Sequence, residues 1–177
     1  MKFKTIIMDE VAVKRALMRL SYEIIERSEN LSNCVLVGIK TRGVPLAKII
    51  AKNIENSSQV SLPIFELDIT HYRDDVDSCV KLNKKVDDNF FVTDKDVIIV
   101  DDVLFTGRTT RASIDAVFMA GRAKSIRLAV LVDRGHRELP IRADFVGKNV
   151  PTSLKEKVVV KLDEIDNETF VAIYENE

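Results

Sequence analysis

Two adjacent acids, followed within a few residues by two threonines, a glycine and an arginine, form the most chemically capable group in this 177-residue chain. They lie in the run Val97-Ile98-Ile99-Val100-Asp101-Asp102-Val103-Leu104-Phe105-Thr106-Gly107-Arg108-Thr109. The β-branched residues at its start predict a buried parallel strand, and the carboxyl end of such a strand is where open α/β sheets take their ligands. The turn Thr106-Gly107-Arg108-Thr109 then offers backbone N–H groups, two hydroxyls and a helix N-terminus to a phosphate. Asp101 and Asp102 supply acceptors for ribose hydroxyls, or hold a sugar that carries Mg²⁺. Acceptors for a sugar beside donors for its 5′-phosphate describe a site for a phosphorylated sugar.

Other nucleotide motifs are excluded by inspection. The chain has no G-x-x-x-x-G-K-[ST] loop, and no G-x-G-x-x-G follows a plausible strand. A receiver domain carries an acidic pair after an apolar strand early in its chain, whereas here the pair begins at residue 101. Capping of the next helix would account for one Asp, but not for two acids leading into Thr-Gly-Arg-Thr.

Such a site needs a sheet to carry it. At 46% hydrophobic content the chain buries a substantial core, and its length suits a single domain over 1–177. No apolar run approaches the roughly 18 residues that span a bilayer, and the first ten residues meet an acid too soon for a signal peptide, so a cytoplasmic location without membrane contact is expected. Cys34, in an apolar strand, and Cys79, in a polar loop, have neither metal-ligand spacing nor a disulfide framework. A net charge of −1 gives no global attraction to nucleic acid, so RNA binding requires local clusters of Lys and Arg. The absence of tryptophan, with only 8 Phe and 3 Tyr, argues against single-strand recognition on rows of stacking rings.

The periodicity predicts a strand near Thr5 to Ile7 and a helix opening at Asp9, whose buried stripe is Val13, Leu17, Leu20 and Ile24. Arg15 and Arg19 fall on another face. Cys34 to Ile39 reads as a strand, Val44 to Asn56 as a helix with Pro45 in its first turn, and Ile64 to Ile69 as a strand. The charged stretch 74–96 reads as a flexible, lid-like excursion. After the Val97 strand come a helix from Thr109 to Ala120 stopped by Gly121, a strand from Ile126 to Val132, and strand-like runs at Phe145 to Val146, Val158 to Leu162 and Phe170 to Tyr174. Alternating strands and helices predict an α/β fold, with a mostly parallel central sheet flanked by helices. The region 133–162 is expected to form a small hood over the carboxyl end of that sheet.

The Val97 to Thr109 run resembles, at all thirteen positions, the phosphoribosyl-pyrophosphate (PRPP) motif of the type I phosphoribosyltransferases. Val37-Gly38-Ile39-Lys40-Thr41-Arg42-Gly43, Asp68-Ile69-Thr70-His71-Tyr72-Arg73-Asp74-Asp75, the run from Leu131 through Asp133-Arg134-Gly135-His136-Arg137 to Arg142, Gly147-Lys148-Asn149-Val150-Pro151-Thr152-Ser153 and Val171 to Glu177 extend the likeness over nearly the whole chain. They are similar to the bifunctional attenuators of pyrimidine operons that are also uracil phosphoribosyltransferases. The resemblance implies transfer of ribose 5-phosphate from Mg²⁺-bound PRPP to uracil, giving UMP and pyrophosphate, with Mg²⁺ held through PRPP rather than by protein ligands. It implies that Phe105 to Thr109 cradle the 5′-phosphate, with Asp101, Asp102, Val103 and Leu104 completing the nucleotide site and the acids on the ribose. Thr41, Arg42 and Gly43 take the pyrophosphate, and Arg73 closes over it from the root of the excursion.

Base recognition, on the same resemblance, falls to Arg134 and the backbone around Val158. The residues themselves are compatible with uracil, hypoxanthine or orotate, and the resemblance selects uracil. Arg15, Arg19, Arg137, Arg142 and Lys148 are implied to form a basic face, completed across a homodimer, that grips a hairpin in the leader mRNA of the operon under control of UMP and related uridine nucleotides. Met18 and Tyr22 stand where family members carry smaller or more polar groups, which predicts an altered RNA contact. A salvage enzyme without RNA regulation is the main alternative. A nucleotide sensor with negligible catalysis is a third, against which the acid pair and Thr41-Arg42-Gly43 both speak.

Overall fold

The computed structural model describes residues 1–69 and 91–175. In chain order the elements are β1 (Lys2–Met8), α1 (Glu10–Arg27), β2 (Cys34–Ile39), α2 (Gly43–Ser58), β3 (Ile64–Leu67), β4 (Asp96–Leu104), α3 (Arg108–Ala120), β5 (Ser125–Asp133), β6 (Phe145–Asn149), β7 (Glu156–Lys161), α4 (Asp163–Asp166) and β8 (Phe170–Glu175). Among the described residues, five parallel strands form one sheet in the order β3-β2-β4-β5-β6.

The centre of this sheet is built from unbroken apolar runs because both faces are covered, and the pleat sends alternate residues to opposite sides. Leu36, Ile98, Val100, Ala129 and Leu131 join the core beneath α1 and α2, which supplies Leu17, Leu20, Ile24, Leu46, Ile50 and Ile54. Val35, Val37, Val97, Ile99, Leu128 and Val130 face the other way, against Ala112, Ala116 and Val117 of α3. The stripe Val13, Leu17, Leu20 and Ile24 is buried as its spacing predicts. The side chain of Asp9 caps α1, accepting from the N–H of Ala12 at 2.8 Å, a contact typically worth about 1 kcal/mol.

The sheet ends where the sequence predicts, with one difference that matters for the site. β4 runs on through Asp101 and Asp102 to Leu104, and Asp101 stays in register with Val130 of β5. The acids therefore sit within the last pleats of a strand, not in the turn after it. At Gly121, φ is 160°, so this glycine ends α3 in an extended conformation. A Cβ there would meet Thr93 Oγ1 at 2.4 Å, and close approach accounts for the residue.

The hood is a second, antiparallel sheet in the order β1-β8-β7. Of the expected span 133–162 only β7 belongs to it: β6 joins the parallel sheet beside β5, and β1 and β8 come from opposite ends of the sequence. Among the described residues β7 is an edge strand of this sheet, so half of its backbone groups have no strand partner there. Arg73 and most of the excursion 74–96 lie outside the described residues.

Candidate active site

In the parallel sheet the chain leaves β2 for β3 on one side, while β4 lies on the other. At such a reversal the loops that follow neighbouring strands separate and leave a crevice at their carboxyl ends. Here it is a cleft of about 440 Å³ lined by Ile39, Lys40, Thr41, Asp68, Ile69, Asp101, Asp102, Val103 and Thr109. It unites the loop after β2 with the acid pair and the first turn of α3, three segments that are far apart in sequence.

Asp101 is buried, and Asp102 beside it is half-buried. Asp101 Oδ1 accepts from the N–H of Asp102 at 2.9 Å, and Asp102 Oδ1 from the N–H of Val103 at 2.8 Å. Burial pushes the Asp101 carboxyl well above the usual carboxylate range, and the charge of Asp102 pushes it further. Burial also raises Asp102, against the pull of its hydrogen bonds and of the Arg42 charge. Two desolvated carboxylates side by side call for hydroxyl donors or positive charge from a ligand.

The turn from Phe105 to Thr109 leads from β4 into α3, and the N–H of Arg108 donates to Thr106 Oγ1 at 3.4 Å. Gly107 precedes α3 with φ 93°, a left-handed conformation that favours glycine, and no side chain caps the helix. The hood loop after β5 is fastened to it: the N–H groups of Glu138 and Leu139 donate to Thr106 O at 3.0 and 3.2 Å, and that of Arg134 to Leu104 O at 3.1 Å. Arg108 Nε donates to Glu138 Oε2 at 2.7 Å.

Gly43 and Arg42 both make close contacts within the protein. A Cβ on Gly43 would stand 2.3 Å from Val100 O, so glycine is needed for α2 to approach β4. Arg42 Nη2 donates to both carboxylate oxygens of Asp166, at 3.0 and 3.2 Å, while its Nε is buried without a partner among the described residues. Burial raises Asp166, but the Leu162 N–H and Arg42 prevail and hold it below the usual range. Lys40 and Asp68 line the cleft without having been singled out; their place at the ends of β2 and β3 was the available signal.

Arg134 is buried, its guanidinium 3.9 Å from the centre of the Phe105 ring. It donates to Thr152 Oγ1 at 3.2 Å, Ser153 O at 3.3 Å and Glu156 O at 2.8 Å. These bonds fasten β7, and with it Val158, over the end of β4.

Over its residues 5–167 the chain matches the model of the phosphoribosyl transferase domain. Along its full length it is 55% identical to the "Bifunctional protein PyrR" of Bacillus subtilis (strain 168), with all of both chains covered. The protein of that name from Clostridioides difficile (strain 630) is 56% identical over 97% of this chain and 98% of its own. The chain belongs to the PyrR family of phosphoribosyltransferases. Among solved structures, a hypoxanthine phosphoribosyltransferase of Trypanosoma cruzi superposes with a TM-score of 0.74 at 18% identity, covering 99% of this chain and 98% of that one. One from Staphylococcus aureus gives 0.72 at 20% identity, covering 97% and 92%. At those identities the likeness concerns the fold, which is that of a type I phosphoribosyltransferase.

A second groove, of about 450 Å³, lies between α1 and β6 and is lined by Arg15, Arg19 and Lys148 with Met8, Val11 and Gly147. Arg19 Nη2 donates to Gly147 O and so is partly committed to the protein. Met18 and Tyr22 are exposed on the same helix, and Arg142 is exposed on the segment leading to β6. Arg137, expected on this face, donates instead from its guanidinium to Phe105 O at 2.8 Å. Among the described residues, no helix is long and apolar enough to cross a membrane.

Proposed function

We propose that this PyrR-family protein is an RNA-binding attenuator of a pyrimidine operon that senses uridine nucleotides and also catalyses the reaction of uracil with PRPP to give UMP and pyrophosphate. The observation that carries the enzymatic half is the single cleft joining Lys40 and Thr41 to Asp101, Asp102 and Thr109. Pyrophosphate, ribose and 5′-phosphate occupy that order of groups in PRPP itself.

In the transfer, uracil N1 attacks C1 of the ribose as the bond to the pyrophosphate oxygen breaks, positive charge develops on the sugar ring, and the N1 proton passes to the departing pyrophosphate. The chain's work is to bind, orient and exclude water. Asp101 and Asp102 accept from the ribose hydroxyls and bring negative charge near the developing cation. The N–H groups and hydroxyls from Phe105 to Thr109 fix the 5′-phosphate, while Thr41 and Arg42 receive the pyrophosphate. The unpaired edge of β7 reads the uracil edge beside Arg134. Buried polar groups of that kind reject a base that leaves them unpaired.

The donor set fits Mg²⁺ brought in with PRPP: hard carboxylate oxygens are present, and among the described residues no group of three or more His, Cys, Asp or Glu stands ready to hold an ion alone. When bound, Mg²⁺ would neutralise charge on the pyrophosphate, with Asp101 and Asp102 the residues that hold its sugar. RNA would lie on the groove of Arg15, Arg19 and Lys148, extended by Arg142 and by a second subunit of a homodimer in the cytoplasm.

Two assays test the halves separately. UMP formation from uracil and PRPP should require Mg²⁺, and activity unchanged by chelation would remove the metal. Binding to the leader RNA of its own pyrimidine operon should tighten with UMP, and indifference to UMP would leave a salvage enzyme as the better account.

A further inference from the structure

Arg137 commits all three guanidinium nitrogens to the interior of the protein. Nε donates to Ile141 O at 3.0 Å, and Nη1 to Phe105 O at 2.8 Å, Gly135 O at 3.1 Å and Leu104 O at 3.4 Å. Nη2 pairs with Asp133 Oδ2, whose other oxygen accepts from the Gly135 N–H at 3.0 Å. The ion pair is largely enclosed, with side-chain exposures of 21% for Arg137 and 16% for Asp133. Its acceptors come from the end of β4, the first residue of the phosphate loop, the end of β5 and the hood loop. A contact with an RNA phosphate would require the guanidinium to abandon these carbonyls and leave the Asp133 carboxylate without its cation, each at the cost of a buried polar group losing its partner.

We propose that Arg137 is a positioning residue for the nucleotide site. By holding the carbonyls of Leu104 and Phe105 it aims the N–H groups that follow, from Thr106 to Thr109, at the 5′-phosphate. By holding Asp133 and Ile141 it makes the hood loop move with that phosphate loop. Occupancy of the nucleotide site is thereby passed to the segment carrying Arg142 and Lys148, the two residues of the proposed RNA face that follow it in sequence. The inference rests on reading Phe105 to Thr109 as the phosphate cradle, as proposed above.

The test compares Arg137→Ala, Arg137→Lys and Asp133→Asn in the full chain, each checked for folding by circular dichroism. KM for PRPP should rise about tenfold in Arg137→Ala, the loss expected for one charge-assisted hydrogen bond, while kcat at saturating PRPP changes far less. Arg137→Lys should recover part of the loss because its ammonium still reaches one acceptor. Asp133→Asn should shift KM in the same direction and add little to Arg137→Ala, as two halves of one contact do. UMP should no longer tighten RNA binding in Arg137→Ala, whereas the salt slope of that binding stays at the wild-type value.

A direct phosphate contact gives the opposite pattern: the slope drops by about one counterion, KM for PRPP is untouched, and Asp133→Asn tightens RNA by releasing Arg137. Any of those results overturns the proposal. If Arg137→Ala does not fold, the opposite signs expected for Asp133→Asn still decide. Thr106→Ala and Thr109→Val separate the levels: a normal KM for PRPP in both overturns the cradle, whereas a raised KM there with a normal one in Arg137→Ala overturns only the role of Arg137.

Discussion

Replacing Asp101 with Asn keeps the shape of the side chain and removes its charge, so it isolates what a buried, unpaired carboxylate costs the empty protein. Burial and the neighbouring Asp102 raise the Asp101 pKa in the folded state above that in the unfolded chain. Between those two values the folded state holds one more proton than the unfolded one, so stability falls as pH rises through the window. Below the unfolded value both states are protonated, and the term vanishes. The loss is about 1.4 kcal/mol for each pH unit that the window spans. With a melting temperature that moves by about 2–4 °C per kcal/mol in a chain of this size, it amounts to roughly 3–6 °C per pH unit. Asp101→Asn should therefore melt close to wild type below the unfolded-state value and progressively above it as pH rises through the window, while losing most of its turnover. Scanning calorimetry of both proteins over that range provides the measurement, and the difference between the curves removes the groups that do not interact with Asp101, leaving Asp101 and its neighbour Asp102. Parallel curves would refute the claim that Asp101 is held protonated by its surroundings. PRPP with Mg²⁺ should release protons on binding at a pH inside the window, measurable as a buffer-dependent heat.

Asp166→Asn removes the partner of Arg42 and should lower kcat/KM for PRPP by about tenfold, the worth of one charged hydrogen bond, since a loose Arg42 must be ordered when pyrophosphate arrives. Steady-state kinetics with uracil saturating would show it, and an unchanged ratio would mean that Arg42 needs no such support. Lys148→Ala and Arg15→Ala should each weaken leader RNA binding and reduce the slope of its salt dependence by about one, with KM for PRPP unmoved. Filter binding at several salt concentrations tests this, and wild-type slopes in both would take the groove between α1 and β6 out of RNA recognition.

The parts of the fold legible in the sequence are those specified locally. Cys34–Ile39 is a strand with the expected bounds because an apolar β-branched run between polar turns has few other stable forms. The helix at Glu10–Arg27 shows both its cap and its stripe. The acid pair was visible as chemistry but not as strand, because Asp is a poor strand former and its place in β4 is imposed by register with β5. No local signal pairs β1 with β8, since the contact between Phe3 and Tyr174 joins the two ends of the sequence. The three-dimensional partner also decides what an arginine does. Arg137 reads as surface charge among Arg134, Glu138 and Arg142, and only the approach of Phe105 O and Asp133 shows its direction. Arg42 is a similar case, with Asp166 supplied by the short helix α4.

That pairing of β1 with β8 also bears on the order in which the molecule assembles. Closing a loop almost as long as the chain costs entropy that a pair of strands alone does not repay. The parallel sheet, whose helices connect neighbours, first has to bring the two ends near one another, so the antiparallel sheet condenses onto a scaffold already made. In reverse, the antiparallel sheet is the unit that opens first. Amides of β1, β7 and β8 then exchange with solvent through a partial opening that leaves β2 and β4 protected. A breathing motion of this kind would lift β7 away from the end of β4 while the cleft lined by Asp101, Asp102 and Thr109 stays intact.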